Sequence, residues 1–431
     1  MSGAFLTLVA VFVGATLVRI PIAVAMLLGS LAYLVAAGRD IGLVADQIMN
    51  SLLGAYVLVA IPLFMLAANL MNASSISDRL FAACHLLVGR MRGGLAQIDV
   101  LVSVLFASMS GSAVADAAGP GLVTIRAMAK AGYPRGFAAA IVAASAVLGP
   151  IIPPSIPMIL YALMANVSVA ALFLGGVLPG LLLAAAMMLV VGVTAVRRDF
   201  PVEALPPAPE RPRILKRTIL PLGLPVVLLG GIYSGAFTPT EAAAVAALYA
   251  LVLAGAFYRE LGWGETVAAF STTARQSAVI VVMICGAFAV NYAVTAEQRD
   301  KSLAAWIAGL GLSPVGFMIA VNLVFLVLGC FIDATTMLLV LVPVLLPTVA
   351  ALQIDPVYFG VVMVFNVTIG LVTPPYGLLL FVLSALARIP LREIVRECWG
   401  LIGAIVVALA LVVAFPSLVL WLPQALGYAT R

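Results

Sequence analysis

The sequence predicts an all-α polytopic membrane protein built from two inverted repeats, each with a re-entrant helical hairpin and a discontinuous transmembrane helix. Three observations lead to this fold class. Of the 431 residues, 65% are hydrophobic and 9% are charged, which is too few charges to cover a soluble surface. Apolar runs of about 20 residues, the length that crosses a bilayer core as a helix, recur along the whole chain. Two Gly/Pro-rich interruptions, at residues 149–155 and 370–377, occupy corresponding places in the two halves.

Ten apolar runs are predicted to cross the membrane as helices. Each is continuously apolar, whereas a strand of an outer-membrane barrel would alternate apolar and polar residues. The predicted spans are approximately residues 4–18, 21–37, 52–71, 136–165, 169–196, 217–235, 240–257, 277–295, 356–387 and 400–422.

Two further apolar segments, at about 95–125 and 314–350, differ from the plain spans. Each is interrupted by Gly, Ser or Pro and carries an acid, Asp116 in the first and Asp333 in the second. Irregular backbone within a bilayer survives only where protein or water satisfies it. We therefore predict that each segment is a re-entrant hairpin, which enters and leaves on the same side of the membrane.

The distribution of positive charge predicts the topology. With the N-terminus outside, 18 of the 22 Lys and Arg residues fall on the cytoplasmic side, as the positive-inside rule requires. Four fall outside: Arg39, Arg299, Lys301 and Arg431. Both termini are then periplasmic. This topology depends on both hairpins being re-entrant, because a full crossing would invert every later segment.

The chain is predicted to divide into two repeats joined by a short cytoplasmic linker. Residues 1–200 form the first repeat and residues 217–431 the second. Each runs span, span, span, hairpin, broken span, span, with the broken spans at 136–165 and 356–387. The linker, residues 201–216, is rich in proline and mixed charge, which is typical of a solvated connection.

Residue spacing supports a duplication. Asp333 follows Asp116 by 217 residues, and Pro374 follows Pro153 by 221. Each repeat crosses the membrane five times, an odd number, so the second is predicted to lie upside down relative to the first. Interrupted segments at corresponding positions of inverted repeats are a strong sequence indication of a transporter's binding site.

The consecutive prolines explain why both broken spans should unwind. Proline lacks an N–H and its ring clashes with the preceding turn, so two in a row after a glycine open about one turn of helix. Carbonyls freed in this way, with Ser and Thr hydroxyls, form an all-oxygen cage suited to a hard cation. Hairpin tips add helix N-termini, which favour anionic groups. The alternative is that each proline pair is only a kink and the small residues allow close helix packing.

A few polar residues within the apolar runs are candidates for function. Asp116 and Asp333 are predicted to act directly or by shaping an ion site, because an acid at membrane depth is costly. The alternative is that each caps a helix near water. Glu241 follows a Thr-Pro-Thr sequence, a helix-start signal, and is predicted to be structural. Asn366, four residues before Gly370, is the asparagine predicted to line the site.

Several function classes are not expected. P-loop, HExxH and GxSxG patterns are absent from the sequence, and the single histidine, His85, lies in an amphipathic stretch predicted to be a cytoplasmic surface helix. We predict no catalytic residues, no organic cofactor, no enzyme activity and no transition metal. The net charge of +5 indicates basic membrane flanks rather than a nucleic-acid partner. Four cysteines without CxxC spacing predict neither a disulfide framework nor a zinc site: Cys84, Cys285, Cys330 and Cys398.

Several motifs together resemble the large permease subunit of TRAP transporters (tripartite ATP-independent periplasmic), the DctM-like family. The resemblance covers about residues 20 to 390. It rests on residues 108–116, 131–134, 149–156, 238–244, 329–333, 355–360 and 370–377. It implies an elevator fold like that of the ion transporter superfamily, in which a moving part works against a fixed scaffold. It also implies a location in the bacterial inner membrane.

The resemblance implies ligands for sodium as coupling ion and for substrate. One sodium site would use Ser108, Ser110, Gly111, Gly149, Ile152 and Pro153. The other would use Gly329, Cys330, Asp333, Gly370, Thr373 and Pro374, several through backbone carbonyls. Substrate would lie between the hairpin tips, in contact with Ser110, Ser112, Asp116, Pro154, Ser155, Asn366 and Pro375. The second break carries Thr373 where the first has Ile152, so the two sodium sites should differ in chemistry.

The resemblance also implies the transported solute and the partners. Such subunits import organic acids, for example C4-dicarboxylates or sialic acid, driven by sodium. A periplasmic solute-binding protein delivers the substrate, and a small four-helix membrane subunit packs against the large one in the lipid. The sequence begins directly with the large-subunit pattern, so the small subunit is expected to be a separate chain. Two other hypotheses stay open: a self-sufficient Na+/dicarboxylate symporter of related fold, and a non-transporting membrane scaffold or enzyme.

Overall fold

The fold is given by a computed structural model, which describes residues 2–428. Met1 and residues 429–431, including Arg431 with its predicted periplasmic position, lie outside the described residues. Within 2–428 every regular element is a helix, which confirms the predicted all-α class.

The first half of the chain contains eleven of the α-helices found in the described residues. They are α1 (Gly3–Leu17), α2 (Ile22–Ala36), α3 (Gly42–Gly54), α4 (Ala60–Asn72), α5 (Ile76–Val88), α6 (Gly94–Ser110), α7 (Ala113–Ala118), α8 (Pro120–Lys130), α9 (Arg135–Ala146), α10 (Ile156–Ala165) and α11 (Val169–Arg197). A 3₁₀ turn, Tyr56–Val59, leads into α4.

The second half contributes ten more within the same described part. They are α12 (Arg211–Tyr233), α13 (Pro239–Leu251), α14 (Trp263–Ala296), α15 (Arg299–Gly309), α16 (Pro314–Gly329), α17 (Ala334–Ala351), α18 (Pro356–Ile369), α19 (Leu378–Ala387), α20 (Leu391–Ala414) and α21 (Ser417–Ala425). A π-helical segment, Val252–Phe257, extends α13.

Six helices in residues 2–428 are long and apolar enough to cross a membrane, or seven if α3 and α4 count as one bent span. The six are α11, α12, α13 with its π-helical extension, α14, α17 and α20. The protein is therefore a multi-pass membrane protein. One of the six, α17, belongs to the second predicted hairpin, and its 18 residues suffice for a crossing. The re-entrant path of the hairpins and the inversion of the second repeat stay predictions.

Local sequence signals set several helix starts. The Thr238 hydroxyl accepts a hydrogen bond from the Glu241 amide at 3.3 Å, and the Glu241 carboxylate accepts one from the Thr238 amide at 2.8 Å. This capping box begins α13 and confirms the structural interpretation of Glu241. The predicted amphipathic helix around His85 is also present, as α5.

Some predicted boundaries were wrong. The span predicted at 52–71 begins inside α3 and continues through the 3₁₀ turn into α4, and α3 meets the segment Tyr56–Asn72 at a bend of 75°. Pro62 falls in the first turn of α4, where it cannot donate to the preceding turn. The span predicted at 400–422 ends at Ala414, because Pro416 disfavours helix in the residue before it. α12 begins at Arg211, within the predicted 201–216 linker, with a proline in its first turn, and the division into repeats stays a prediction.

Helix contacts divide the structure into two groups. In the first, which we call the outer group, α2 packs against α1 and α14, α3 against α14, α4 against α13 and α14, and α12 against α13. In the second, the site group, α6 to α11 pack with α16 to α21. The groups meet directly where α4 and α12 contact α6 and where α14 contacts α17. Two short helices also lie between the groups. α5 contacts α12 and α6, and α15 contacts α14 and α17.

Candidate functional site

The tip of the first hairpin lies between α6 and α7. α6 ends at Ser110, and Gly111 turns the chain with a φ of 62°. An L side chain adopts this left-handed conformation at a cost of roughly 1–2 kcal/mol. Ser112 begins α7, and its hydroxyl accepts a hydrogen bond from the Ala115 amide at 3.4 Å. Ser108, half a turn before Ser110, donates to the Leu105 carbonyl at 2.6 Å.

The first helix break runs from the end of α9 to Ser155. The peptide bond between Pro153 and Pro154 is cis. The Ser155 hydroxyl donates to the Pro150 carbonyl and accepts from the Met158 amide at 3.2 Å, so it closes the break and begins α10. Both local predictions, an unwound segment at the consecutive prolines and a helix on either side, are confirmed.

The first break leaves backbone carbonyls without partners. Among residues 2–428, no hydrogen bond reaches the carbonyl oxygens of Gly149, Ile152 or Pro153. A buried carbonyl is nearly always paired in a folded protein, so these oxygens are available to an ion or to water. They are three of the positions predicted to bind sodium.

The first tip and the first break fit against each other at two glycines. A Cβ added to Gly111 would collide with the Pro154 carbonyl, and one added to Gly149 would lie 3.2 Å from the Ala113 amide nitrogen. Both contacts are to backbone, which cannot move aside as a flexible side chain can. The glycines therefore allow the backbone of the tip to touch the backbone of the break.

The second break repeats this arrangement between α18 and α19. Its Pro374–Pro375 bond is also cis. The Tyr376 amide donates to the carbonyl of Cys330 at the second hairpin tip, 3.3 Å away, and a Cβ on Gly370 would collide with the Gly329 carbonyl. Within the described residues, no hydrogen bond reaches the carbonyls of Gly329, Thr373 or Pro374. The second tip and break thus offer unpaired oxygens at the predicted positions.

Asp333 occupies the second tip and begins α17. Its Oδ2 accepts hydrogen bonds from the amides of Thr335 at 3.0 Å and Thr336 at 3.2 Å. The predicted capping alternative is therefore present, but it does not exclude ion binding. The cap uses only Oδ2, and no hydrogen bond in residues 2–428 involves Oδ1.

The two breaks differ at one side chain. Thr373 donates its hydroxyl hydrogen to the Ile369 carbonyl at 2.8 Å, which leaves the hydroxyl oxygen free to accept or to coordinate. At the matching place in the first break stands the buried, apolar Ile152. Any ion in the first break would therefore depend more on backbone carbonyls and on serines of the tip.

The second half of each broken helix packs against helices of the other repeat. α10, from the first repeat, packs against α17 and α18, and α19, from the second, packs against α7, α8 and α9. At one of these contacts the Tyr161 hydroxyl donates to the Pro356 carbonyl at 2.6 Å. A Cβ on Gly360 would collide with the same tyrosine ring. Through this exchange, the two breaks and the two tips belong to one interior assembly.

Two predicted substrate ligands direct their side chains to partners outside the tips. The buried Asn366 donates to the backbone and side-chain oxygens of Asn322, at 2.9 and 2.6 Å, and so links α18 to α16. Asp116 is 2% exposed, and its carboxyl faces Ser103 and Asp99 on α6. The other predicted substrate residues, Ser110, Ser112, Pro154, Ser155 and Pro375, lie at the tips and breaks.

Asp99 is a polar residue that sequence reasoning missed. It is 2% exposed on α6, and its Oδ2 lies 2.7 Å from the hydroxyl oxygen of Ser145 on α9. The sequence did indicate Asp99 as a candidate, because it is an acid inside the predicted 95–125 hairpin. Its partner was not predictable, since 46 residues separate Ser145 from Asp99.

Paired helix breaks with unpaired carbonyls, each against a hairpin tip inside an all-helical membrane fold, are typical of the binding site of a membrane transporter. Residues 8–418 match the family model described as "Tripartite ATP-independent periplasmic transporter, DctM component". The chain belongs to this family, as its motifs predicted. It is therefore a transporter component and not an enzyme.

Individual relatives agree over nearly the full length. The chain is 37% identical over 421 residues to the sialic acid TRAP transporter large permease protein SiaM of Vibrio cholerae, covering 97% of this chain and 98% of that one. It is 40% identical over 374 residues to the C4-dicarboxylate TRAP transporter large permease protein DctM of Pseudomonas aeruginosa, covering 86% and 87%. Its fold is similar to the crystal structure of the Alcanivorax borkumensis YdaH transporter, with a TM-score of 0.62 and 16% identity over 86% of this chain and 87% of that one.

Proposed function

We propose that this chain is the large membrane subunit of a sodium-coupled importer of an organic acid in the bacterial inner membrane. The observation that carries the proposal is the pair of helix breaks, which leave carbonyls unpaired and pack against hairpin tips that carry hydroxyl or carboxylate oxygens. Sodium is a hard cation that favours oxygen ligands. The two relatives named for carboxylate substrates, sialic acid and C4-dicarboxylate, support an organic acid as the solute.

Sodium binds at both breaks in this proposal. The first site takes the carbonyls of Gly149, Ile152 and Pro153 with the Ser108, Ser110 and Gly111 tip. The second takes Gly329, Cys330, Gly370 and Pro374 with the Asp333 carboxylate and the Thr373 hydroxyl. Sodium bound there neutralises the negative ends of carbonyl dipoles and draws the substrate carboxylate toward the tips.

The helix contacts support an elevator-type movement. The site group moves as one body because α10 and α19 exchange between the repeats, whereas the outer group stays fixed. α5 and α15, which touch both groups, connect the moving part to the fixed part, and the two parts slide along the direct contacts of α4 and α12 with α6 and of α14 with α17. The remaining surface is strongly apolar; Leu17, Leu53 and Trp263 are each more than 75% exposed. It faces lipid and the separate small four-helix subunit.

A periplasmic solute-binding protein and the small subunit complete the proposed transporter. The test is reconstitution of both membrane subunits in proteoliposomes, with the purified binding protein loaded with substrate outside. Uptake is expected only with an inward sodium gradient and only with the binding protein present. Uptake by this chain alone would favour the self-sufficient symporter, and uptake unchanged after replacing sodium by choline would contradict sodium coupling.

Thr373→Val tests the second ion site in the same assay. Loss of one ligand is expected to raise the sodium concentration for half-maximal uptake by about tenfold, equivalent to about 1.4 kcal/mol. Thr16→Val is the matched control, because the Thr16 hydroxyl makes the same bond to the carbonyl four residues earlier, also at 2.8 Å, but lies on α1. If both variants have the same sodium dependence as the unchanged protein, Thr373 is not a ligand.

A further inference from the structure

A buried acid in the first hairpin lies near two hydroxyl groups, and no cationic side chain of the described residues pairs with it. Asp99 lies on α6, near the hydroxyls of Ser145 and Thr124. None of the four ion pairs formed within residues 2–428 includes Asp99 or Asp116. An isolated carboxylate in such an interior loses most of its hydration free energy, so Asp99 requires a proton or a metal cation.

The hydrogen bonds of Ser145 indicate a proton. The Ser145 hydroxyl oxygen lies 2.7 Å from Asp99 Oδ2 and 3.2 Å from the Val142 carbonyl oxygen. A hydroxyl has one hydrogen, and a carbonyl oxygen can only accept. Both contacts become hydrogen bonds when Asp99 is protonated, because Asp99 then donates to Ser145 while Ser145 donates to Val142. An ionised Asp99 would compete with Val142 for the same hydrogen.

Asp116 is a second acid aimed into this site. It is 98% buried, and its Oδ2 has no hydrogen-bond partner in the described residues. Its carboxyl faces Ser103 and Asp99. Two carboxyls in one desolvated site cannot both ionise without strong repulsion, so a proton on either one lowers the cost of burying the other.

Few other charges bear on the pair. Among the described residues, Asp99 is the titratable group that faces Asp116. The other titratable residues of the helices packed against α6 and α7 lie elsewhere. They are Asp78, Arg79, Cys84 and His85 on α5, Arg126 and Lys130 on α8, Arg135 on α9, Arg197 on α11, and Arg211, Arg213, Lys216, Arg217 and Tyr233 on α12.

We propose that Asp99 and Asp116 form a proton-binding site in the first hairpin, separate from the sodium sites at the breaks. Asp99 holds the proton toward Ser145, and Asp116 is the ionisable neighbour across the hairpin. The site binds a proton from water and releases it to water, so no other reactant is needed. The bound proton stabilises the hairpin. Because the hairpin belongs to the site group, the stability of the transporter then depends on pH.

The sign of the pH effect follows from proton counting. The native hairpin holds a proton that an aspartate of the unfolded chain has already released above about pH 4, so native stability falls as pH rises beyond that value. The first test is the thermal unfolding temperature of the purified complex with its small subunit between pH 5 and 9, at fixed sodium. The unchanged protein is expected to lose stability toward high pH. Asp99→Asn and Asp116→Asn should flatten this slope, because the amide resembles the protonated acid.

Asp46→Asn is the matched control, since Asp46 is an exposed aspartate on α3. The unfolding temperature of this variant should fall with rising pH as steeply as that of the unchanged protein. Infrared spectra provide a readout that a structural role alone would not change. A protonated carboxyl band that titrates with pH is expected in the unchanged protein and lost in Asp99→Asn. If a variant fails to fold, Ser145→Ala tests the same site, because losing the proton acceptor of Asp99 should shift that band.

Three outcomes would overturn the proposal. They are an unaltered pH slope in both Asn variants, the absence of a titrating carboxyl band, or loss of sodium-dependent stabilisation in Asp116→Asn with the pH slope intact. The last would assign the pair to sodium instead. None of these outcomes depends on uptake, so failure here is distinguishable from failure of sodium-coupled transport.

Discussion

Gly111 shows how much of the site depends on a missing side chain. It combines a left-handed φ with direct contact between the first tip and the Pro154 carbonyl. The sequence motif predicted the glycine as part of an ion site. The structure adds a steric reason, because any Cβ would push the tip away from the break and separate the oxygens that are expected to share one ion.

Gly111→Ala is expected to destabilise the protein by more than about 3 kcal/mol, because a backbone collision adds to the cost of a left-handed alanine. Gly132→Ala separates the two effects. Gly132 has a φ of 89° but nothing within 4 Å of the position of an added Cβ. Gly132→Ala should therefore lower the free energy of unfolding by only about 1–2 kcal/mol. Thermal unfolding of both variants measures the difference. Equal losses of stability in the two variants would show that the close contact with Pro154 does not affect the free energy of unfolding.

Helix breaks were the most predictable elements of this protein. The consecutive prolines at 153 and 374 predicted both unwound segments, because proline acts on its own turn and needs no tertiary information. α15 was missed for the opposite reason. It begins Arg299-Asp300-Lys301, reads as a polar loop beside the longer apolar runs, and is held by its contacts with α17. Its place before the second hairpin matches that of α5 before the first.

The link between α16 and α18 illustrates what sequence could not decide. Asn366 was predicted to line the site because a polar residue near a break suggests a ligand. Its amide nitrogen makes two hydrogen bonds to Asn322, 44 residues away. Its side-chain oxygen has no hydrogen-bond partner among the described residues, so the role as a ligand stays a prediction. Pairing at that distance along the chain depends on how the helices pack, which local patterns do not reveal.

Asn322→Ala and Asn366→Ala are each expected to destabilise the protein by about 1–3 kcal/mol, because each leaves a buried polar group unpaired. In a double-mutant cycle, the double variant should lose less than the sum of the single variants. Substrate affinity should remain unchanged in variants that fold. Weaker substrate binding in Asn366→Ala alone, without loss of stability, would instead support the sequence-based prediction of a ligand.

At the level of the complete molecule, orientation in the membrane is still a prediction from charge. Arg92 and Lys130 flank the first hairpin, and Lys301 and Ala351 are close to the ends of the second; all four are exposed. If both hairpins are re-entrant and the repeats are inverted, the first two positions face the cytoplasm and the last two the periplasm. A full crossing by α17 would place Ala351 opposite Lys301.

Single cysteines at these four positions test the topology, in a background lacking the four native cysteines. A membrane-impermeant maleimide is expected to label Lys301→Cys and Ala351→Cys in intact cells whose outer membrane has been permeabilised. Arg92→Cys and Lys130→Cys should react only in inside-out vesicles. Labelling of Lys301→Cys and Ala351→Cys from different sides would show that the second hairpin spans the membrane. Such a result would invert the assignment of everything after it.

The exchange of α10 and α19 between the repeats also has a consequence for biosynthesis. α10 is complete at Ala165, but α18, against which it packs, begins only at Pro356. At roughly 5–20 residues per second, the ribosome needs on the order of 10–40 s to make the intervening chain. During that time α10 is in the bilayer without α18 to pack against. Neither half can therefore finish folding by itself, and a chain cut in the 198–210 connection should regain its native state only when both fragments are made in the same cell.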